Sequence, residues 1–150
     1  MKEKNLTELE LKKQINIIGE AVQMAVERCE KETSQFDLEI HHDSDFINVN
    51  FDKNNPACFY FKIYKVEKKK VFWGIWINKE KLTPICFIKD AIKKSPYGEY
   101  WLEIELYDEI QLLPIIRAEM EQAAAKLGAK TKVIVIYRDK NDMVVFNEYA

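Results

Sequence analysis

The sequence predicts one α+β domain, in which a long N-terminal helix and a later helix pack on an antiparallel β-meander of about five strands, followed by a C-terminal β-hairpin. Two observations lead to this prediction. Apolar residues recur every three or four positions near the N-terminus and again in residues 110–127, which is typical of amphipathic helices. Between and after these segments apolar and polar residues alternate, as half-buried strands require. A length of 150 residues fits a single domain, residues 1–150.

Composition and charge limit the class of protein. Hydrophobic residues make up 47% of the chain and charged residues 32%, with 4 Gly and 4 Pro, which excludes disordered and collagen-like proteins. A formal net charge of -2 excludes a globally basic nucleic-acid binder. The N-terminus lacks the apolar region of a signal peptide, and no apolar run approaches the roughly 18 residues of a membrane span. We therefore expect a cytoplasmic protein with no membrane partner.

Residue types that bind metals and cofactors are sparse and poorly spaced. Cys29, Cys58 and Cys86 form no Cys-x-x-Cys pair, so we expect small buried thiols rather than a disulfide framework or a zinc site. His41 and His42 are adjacent, and adjacent strand residues point to opposite faces, so they cannot bind one metal together. The 4 Gly are scattered and form no phosphate-binding loop. The sequence predicts no cofactor and no metal.

The first helix is predicted over residues 5–33. Its apolar stripe consists of Leu11, Ile15, Ile18, Val22, Ala25 and Cys29. Thr7 and Glu10 have the spacing of a capping box at its start. The stripe could also form a dimer seam, but the flanking charges show no complementary pattern. We therefore expect it to pack against the sheet.

Four strands are predicted next, because the hydrophobic period changes to two. They cover Phe36–His41, Phe46–Phe51, Ala57–Val66 and Val71–Asn78. The last two are joined by a predicted charged tip, Glu67-Lys68-Lys69-Lys70. Short polar connections between consecutive strands indicate an antiparallel arrangement.

The segment from Lys79 to Gly98 supports two interpretations. Thr83 followed by Pro84 has the pattern of an N-cap and a first helical residue, which favours a short helix ending before Ser95. The alternative is a strand through Ile85–Ile88. A fifth strand is predicted over Tyr100–Tyr107, where apolar and polar residues alternate.

The remaining chain predicts a helix and a hairpin. The helix covers Ile110–Leu127, with Pro114 delaying or kinking its start and Gly128 ending it. The hairpin joins Thr131–Tyr137 to Met143–Tyr149 through the polar residues 139–142.

The sheet face opposite the predicted core is unusually aromatic. The candidate binding residues on this face are Tyr60, Lys62, Tyr64, Phe72, Trp76, Trp101, Glu103 and Glu105. Aromatic side chains bordered by charges are typical of a binding surface. Alternatively, the second helix or the last hairpin covers this face, and the aromatic residues form a second core layer.

We therefore expect a non-enzymatic binding or regulatory protein of the chaperone, immunity or inhibitor type. Its partner would be another protein or a second copy of the chain. The face would be centred on Tyr60, Tyr64, Trp76 and Trp101.

Two alternative functions depend on charged residues. Glu103 and Glu105 share a strand face, and with Asp43 or Asp45 they could hold Mg²⁺ for phosphodiester hydrolysis, although paired glutamates on a solvated strand are ordinary. The order of elements resembles the αβββαβ core of the PD-(D/E)xK nucleases, but Glu105 stands where that motif requires Lys. Alternatively, the lysine-rich tip and its flanking aromatic residues could bind single-stranded nucleic acid.

Overall fold

The computed structural model describes residues 8–42, 60–69, 79–91, 100–128 and 131–148. In chain order the elements are α1 (Glu8–Thr33), β1 (Leu38–His42), β2 (Tyr60–Lys69), β3 (Lys79–Ala91), β4 (Tyr100–Tyr107), a 3-10 helix (Ile110–Leu112), α2 (Leu113–Leu127), β5 (Thr131–Arg138) and β6 (Val144–Asn147). The predicted α+β class is confirmed. No helix in the described ranges is both long and apolar enough to cross a membrane.

The six strands form one sheet in the order β1-β2-β3-β4-β5-β6. Strands β1 to β4 are an antiparallel meander, and β5 and β6 are an antiparallel hairpin. A meander and a C-terminal hairpin were both predicted, but the predicted meander did not include β3. The two parts join through a parallel pair, β4 and β5. A parallel pair needs a crossover connection, and α2 lies in that connection.

Both helices pack on the same face of the sheet, here called the helix face. From α1, the predicted stripe residues Ile18, Val22, Ala25 and Cys29 are buried. From α2, the buried residues include Ile116 and Met120. The sheet contributes Phe61, Ile63, Cys86, Ile88, Leu102, Ile104, Leu106 and Val135 to the same core. The stripe of α1 is therefore used within the domain, as expected for core packing.

Helix α2 begins and ends where proline and glycine predict. The α-helical turns start at Leu113, and Pro114 lies in the first turn. N–H groups in the first turn have no acceptor within the helix, so the N–H that proline lacks is not needed there. At the other end Gly128 has a φ of 144°, and its N–H donates to the carbonyl of Ala124 at 3.1 Å. Glycine adopts this positive φ without the cost that a Cβ would add.

The predicted helix starting at Thr83 is wrong. These residues belong to β3, which pairs with β2 on one side and β4 on the other. Local capping signals are weak compared with ladder hydrogen bonds on both edges and burial of Cys86 and Ile88. Pro84 is tolerated because the β2–β3 register shifts beside it, opposite Ile63 and Tyr64.

The prediction that the charged tip is a turn is also wrong for Glu67–Lys69. These residues continue β2 and pair with Lys79–Lys81 of β3, so Lys68 and Lys69 belong to the paired part of the strand. The predicted strands at 46–51 and 71–78 and the capping residue Thr7 lie outside the described residues.

Candidate functional site

The face of the sheet opposite the helices carries the candidate site and is here called the outer face. Its main members are His41, Lys62, Tyr64, Phe87, Lys89, Trp101, Glu103, Glu105, Tyr107, Ile136 and Arg138. Strand alternation puts them there, because their neighbours Ile63, Ile88 and Ile104 point into the core beneath the helices. Helix α2 packs on the helix face, so the alternative in which this helix covers the aromatic residues is wrong.

One row of paired residues runs across the outer face from β1 to β5. His41 pairs with Lys62, Lys62 with Phe87, and Phe87 with Glu105. Glu105 pairs with Ile136, which completes the row as far as β5. Because opposed side chains on one face are about 5 Å apart, the row brings a cation, a ring and a carboxylate into direct succession.

Two glutamates lie at the centre of the outer face and are held by cations. Glu103 is 9% exposed and Glu105 8%. The Lys89 Nζ atom lies 3.4 Å from Oε2 of each carboxylate. The Arg138 Nε donates to Oε1 of Glu105 at 3.2 Å, and the Tyr107 hydroxyl donates to the same oxygen. We call these five residues the ion cluster. The expectation that the glutamates are solvated is wrong, because the pairing allows both carboxylates to be buried.

The ion cluster sets opposite protonation preferences for Glu105 and Tyr107. Burial raises the pKa of Glu105, but the hydrogen bond from Tyr107 and the charges of Lys89 and Arg138 outweigh burial and lower it overall. Burial and the neighbouring Glu105 raise the pKa of Tyr107. At neutral pH Glu105 is therefore an anion and Tyr107 a neutral donor, which fixes the direction of their hydrogen bond.

Aromatic rings extend from the ion cluster toward β1. Phe87 and Tyr107 meet edge to face, with ring centroids 5.4 Å apart and planes at 71°. The Lys62 Nζ lies 5.7 Å from the centroid of the Phe87 ring. Toward β1, the ring of Tyr64 lies 4.7 Å from that of His41. All of these side chains except the exposed His41 are half-buried, so the outer face presents ring surface together with cationic groups.

The structure brings five of the predicted site residues onto the outer face. These are Lys62, Tyr64, Trp101, Glu103 and Glu105. Tyr60 belongs to β2, but its side chain is not described, and Phe72 and Trp76 lie outside the described residues. Whether these residues bind a partner remains a prediction.

The two adjacent histidines and two of the cysteines behave as predicted. His41 lies with Tyr64 on the outer face, while His42 stacks on Phe61, on the opposite face, with centroids 4.4 Å apart. Cys29 and Cys86 are buried free thiols. Burial raises the pKa of Cys29 to about 11 and also raises that of Cys86, so both stay protonated at neutral pH. Cys58 lies outside the described residues.

Sequence reasoning missed five members of the outer face, Ile136 and the four charged or aromatic residues that follow. Phe87 and Lys89 were assigned to a helix, although the apolar run Ile85–Ile88 also fits a buried strand. Tyr107 is the last residue of a correctly predicted strand, and its alternation with Leu106 was the available signal. Arg138 lies one residue beyond the predicted end of β5, where strand limits are least certain.

A groove lies beside the outer face, between the second half of α2 and the start of β5. Its volume is about 700 Å³, and the residues lining it include Trp101, Glu121, Lys132 and Glu148. Glu148 is held in place there by Arg117 and by the backbone N–H of Val135. Trp101 thus connects the groove to the outer face.

Comparison with known proteins gives no match to a family model, a curated protein or a solved structure. Within the described ranges no group of three or more His, Cys, Asp or Glu side chains could hold a metal ion.

Proposed function

We propose that this protein is a non-enzymatic protein-binding module of the chaperone, immunity or inhibitor type, and that the outer face is its contact surface. The observation that supports the proposal is a set of half-buried rings on a sheet face on which neither helix packs. Tyr64, Phe87, Trp101 and Tyr107 belong to this set. Aromatic side chains provide large contact area and lose little conformational entropy on binding, which is why they dominate protein interfaces.

The ion cluster supports the proposal by fixing the rings in place. Tyr107 is tied to Glu105 by its hydroxyl, and Phe87 packs edge to face on Tyr107. Lys89 and Arg138 hold Glu105 in turn. A surface whose side chains are already ordered loses less entropy when a partner docks. Such a preorganised patch suits recognition of a folded partner or an extended segment.

The contacts of the glutamates favour binding over metal-dependent hydrolysis. A divalent cation bridging Glu103 and Glu105 would need the position that the Lys89 ammonium takes, 3.4 Å from each carboxylate. Glu105 also accepts from Arg138 and Tyr107, which already use its oxygens. The lysine-tip alternative depends on residues 68–70, whose side chains are not described.

The proposal is tested by capture of partners from lysate of the native cell with immobilised protein. Tyr64→Ala and Phe87→Ala remove rings from the outer face, and Met24→Ala removes an exposed apolar side chain from α1 as a matched control. We expect the proteins captured by the wild type to be retained by Met24→Ala and depleted at least tenfold with either outer-face variant. Quantitative mass spectrometry measures the depletion, and circular dichroism checks that each variant is folded.

Two results would contradict the proposal. One is the same captured set for all variants, which would separate binding from the outer face. The other is Mg²⁺- or Mn²⁺-dependent cleavage of labelled nucleic acid that Glu103→Gln and Glu105→Gln abolish, which would support the hydrolase alternative.

A further inference from the structure

We infer that the outer face takes an acidic protein segment, one that presents carboxylates beside apolar side chains. The inference rests on the proposed function and names the chemistry of its partner. The charged residues of the predicted site are two glutamates and a single lysine. In the structure the glutamates are buried, and the accessible charges on the outer face are mainly positive.

The ion cluster turns its cations toward solvent. The side chains of Glu103 and Glu105 are each 11% exposed, whereas that of Lys89 is 25% exposed and that of Arg138 30%. The carboxylates therefore lie beneath the groups that neutralise them. A partner approaching the centre of the outer face meets the ammonium and guanidinium groups first, together with the ring edges of Phe87 and Tyr107.

Lys62 adds a positive charge without an ion pair among the described residues. Its Nζ lies over the Phe87 ring, and no carboxylate of the described ranges comes within 4.0 Å of it. The residue is half-buried, and its ammonium lies against an aromatic ring. A carboxylate from a partner would provide the missing counter-charge next to an apolar ring. Glu39 is an exposed carboxylate of the outer face at the β1 edge, where it lies 3.4 Å from His41, an imidazole that is charged only when protonated.

The number of cations favours an acidic protein segment over a nucleic acid. Lys62, Lys89, Lys132 and Arg138 are four charges on this face, and those of Lys89 and Arg138 are already balanced by glutamates. Proteins that bind DNA tightly neutralise about 6 to 10 phosphates, and this chain carries a net charge of -2. A few carboxylates flanked by apolar side chains match the outer face better than a continuous phosphate backbone.

Selection from a library of random peptides displayed on phage tests the inference without a known partner. The probes are then the selected peptides themselves, made synthetically and titrated by calorimetry against the full chain. We expect the selected sequences to be enriched in Asp or Glu next to apolar residues. Their affinity should fall about tenfold with Lys62→Glu and less with Lys62→Met, which keeps contact with the Phe87 ring. Lys13→Glu, an exposed change of equal charge on α1, should leave affinity unchanged.

The outcomes separate this inference from the proposed function. Suppose that the peptides bind Tyr64→Ala more weakly than the wild type but bind Lys62→Glu with wild-type affinity. This result would overturn the inference and leave the proposed function standing. Peptides insensitive to both substitutions would overturn both. Binding of an oligo-dT strand that depends on Lys62, with no enrichment of acidic peptides, would overturn the inference in favour of nucleic acid. Affinity for acidic peptides that does not fall between about 50 and 500 mM NaCl would also contradict it.

Discussion

Alternate residues of β4 are buried on the two faces of the sheet by different means. On the helix face, Leu102, Ile104 and Leu106 are fully buried by apolar packing beneath α1 and α2. On the outer face, Glu103 and Glu105 are nine-tenths buried and are held by Lys89, Arg138 and Tyr107. Neighbouring residues of one strand thus use apolar packing on one side and ion pairing on the other.

The comparison indicates which face stabilises the fold and which face holds charged and aromatic side chains in fixed positions. Apolar burial provides a large, non-directional contribution to folding. Buried ion pairs contribute less, because desolvation offsets much of their attraction, but they fix side chains in specific positions. The helix face therefore stabilises the domain, and the outer face holds charged and aromatic groups in one arrangement.

Removing an aliphatic side chain from each face should give the largest effect. Ile104→Ala, on the helix face, is expected to lower the free energy of unfolding by about 2–5 kcal/mol, because a cavity opens in a fully buried site. Ile136→Ala, on the half-buried outer face, is expected to cost about 1 kcal/mol. Urea denaturation followed by circular dichroism measures both. Equal losses would mean that the outer face is a second core, and the contrast between the faces would not hold.

Loss of one charge from the ion cluster should give an intermediate effect. Glu105→Gln keeps the shape of the side chain but removes the charge bonded to Lys89, Arg138 and Tyr107. We expect a loss of about 1–3 kcal/mol in the free energy of unfolding. The control is Glu67→Gln, which breaks a 3.9 Å pair with Lys65 on a more exposed side chain and should cost less than about 1 kcal/mol. A smaller loss for Glu105→Gln than for the control would mean that the cluster does not order the outer face.

The sequence predicted the fold correctly where hydrophobic periodicity agreed with the residues that begin or end an element. Three features were predicted in this way: the apolar stripe of α1, the limits of α2 at Pro114 and Gly128, and the hairpin of β5 and β6. The prediction failed at Thr83 and Pro84. Their capping pattern is a local signal, whereas the pairing of β3 with two other strands depends on residues distant in the sequence. Only contacts between distant segments decide between a helix and a strand for such a short apolar run.

The candidate site was predictable as a face but not as a set of contacts. Alternation in β2 and β4 was enough to bring Lys62, Tyr64, Trp101 and both glutamates together. It could not predict the burial of Glu105, because its partners Lys89 and Arg138 come from β3 and β5, and their alignment depends on strand register. The positive character of the outer face follows from that register and cannot be obtained from composition.

Acidification should give the smallest effect, since it removes only the ionic part of the Glu105 contribution. The pKa of Glu105 is lowered by folding, so its charge stabilises the native state at pH values above the ordinary carboxyl value of 4.5. This contribution is lost as the pH falls below 4.5 and through the lowered native pKa. The difference in free energy of unfolding between the wild type and Glu105→Gln should therefore shrink from pH 7 toward pH 3. Tyr107→Phe removes the donor that helps to lower this pKa, so its loss of stability should shrink over the same range. A difference that stays constant with pH would show that ionisation of Glu105 does not cause the difference in stability.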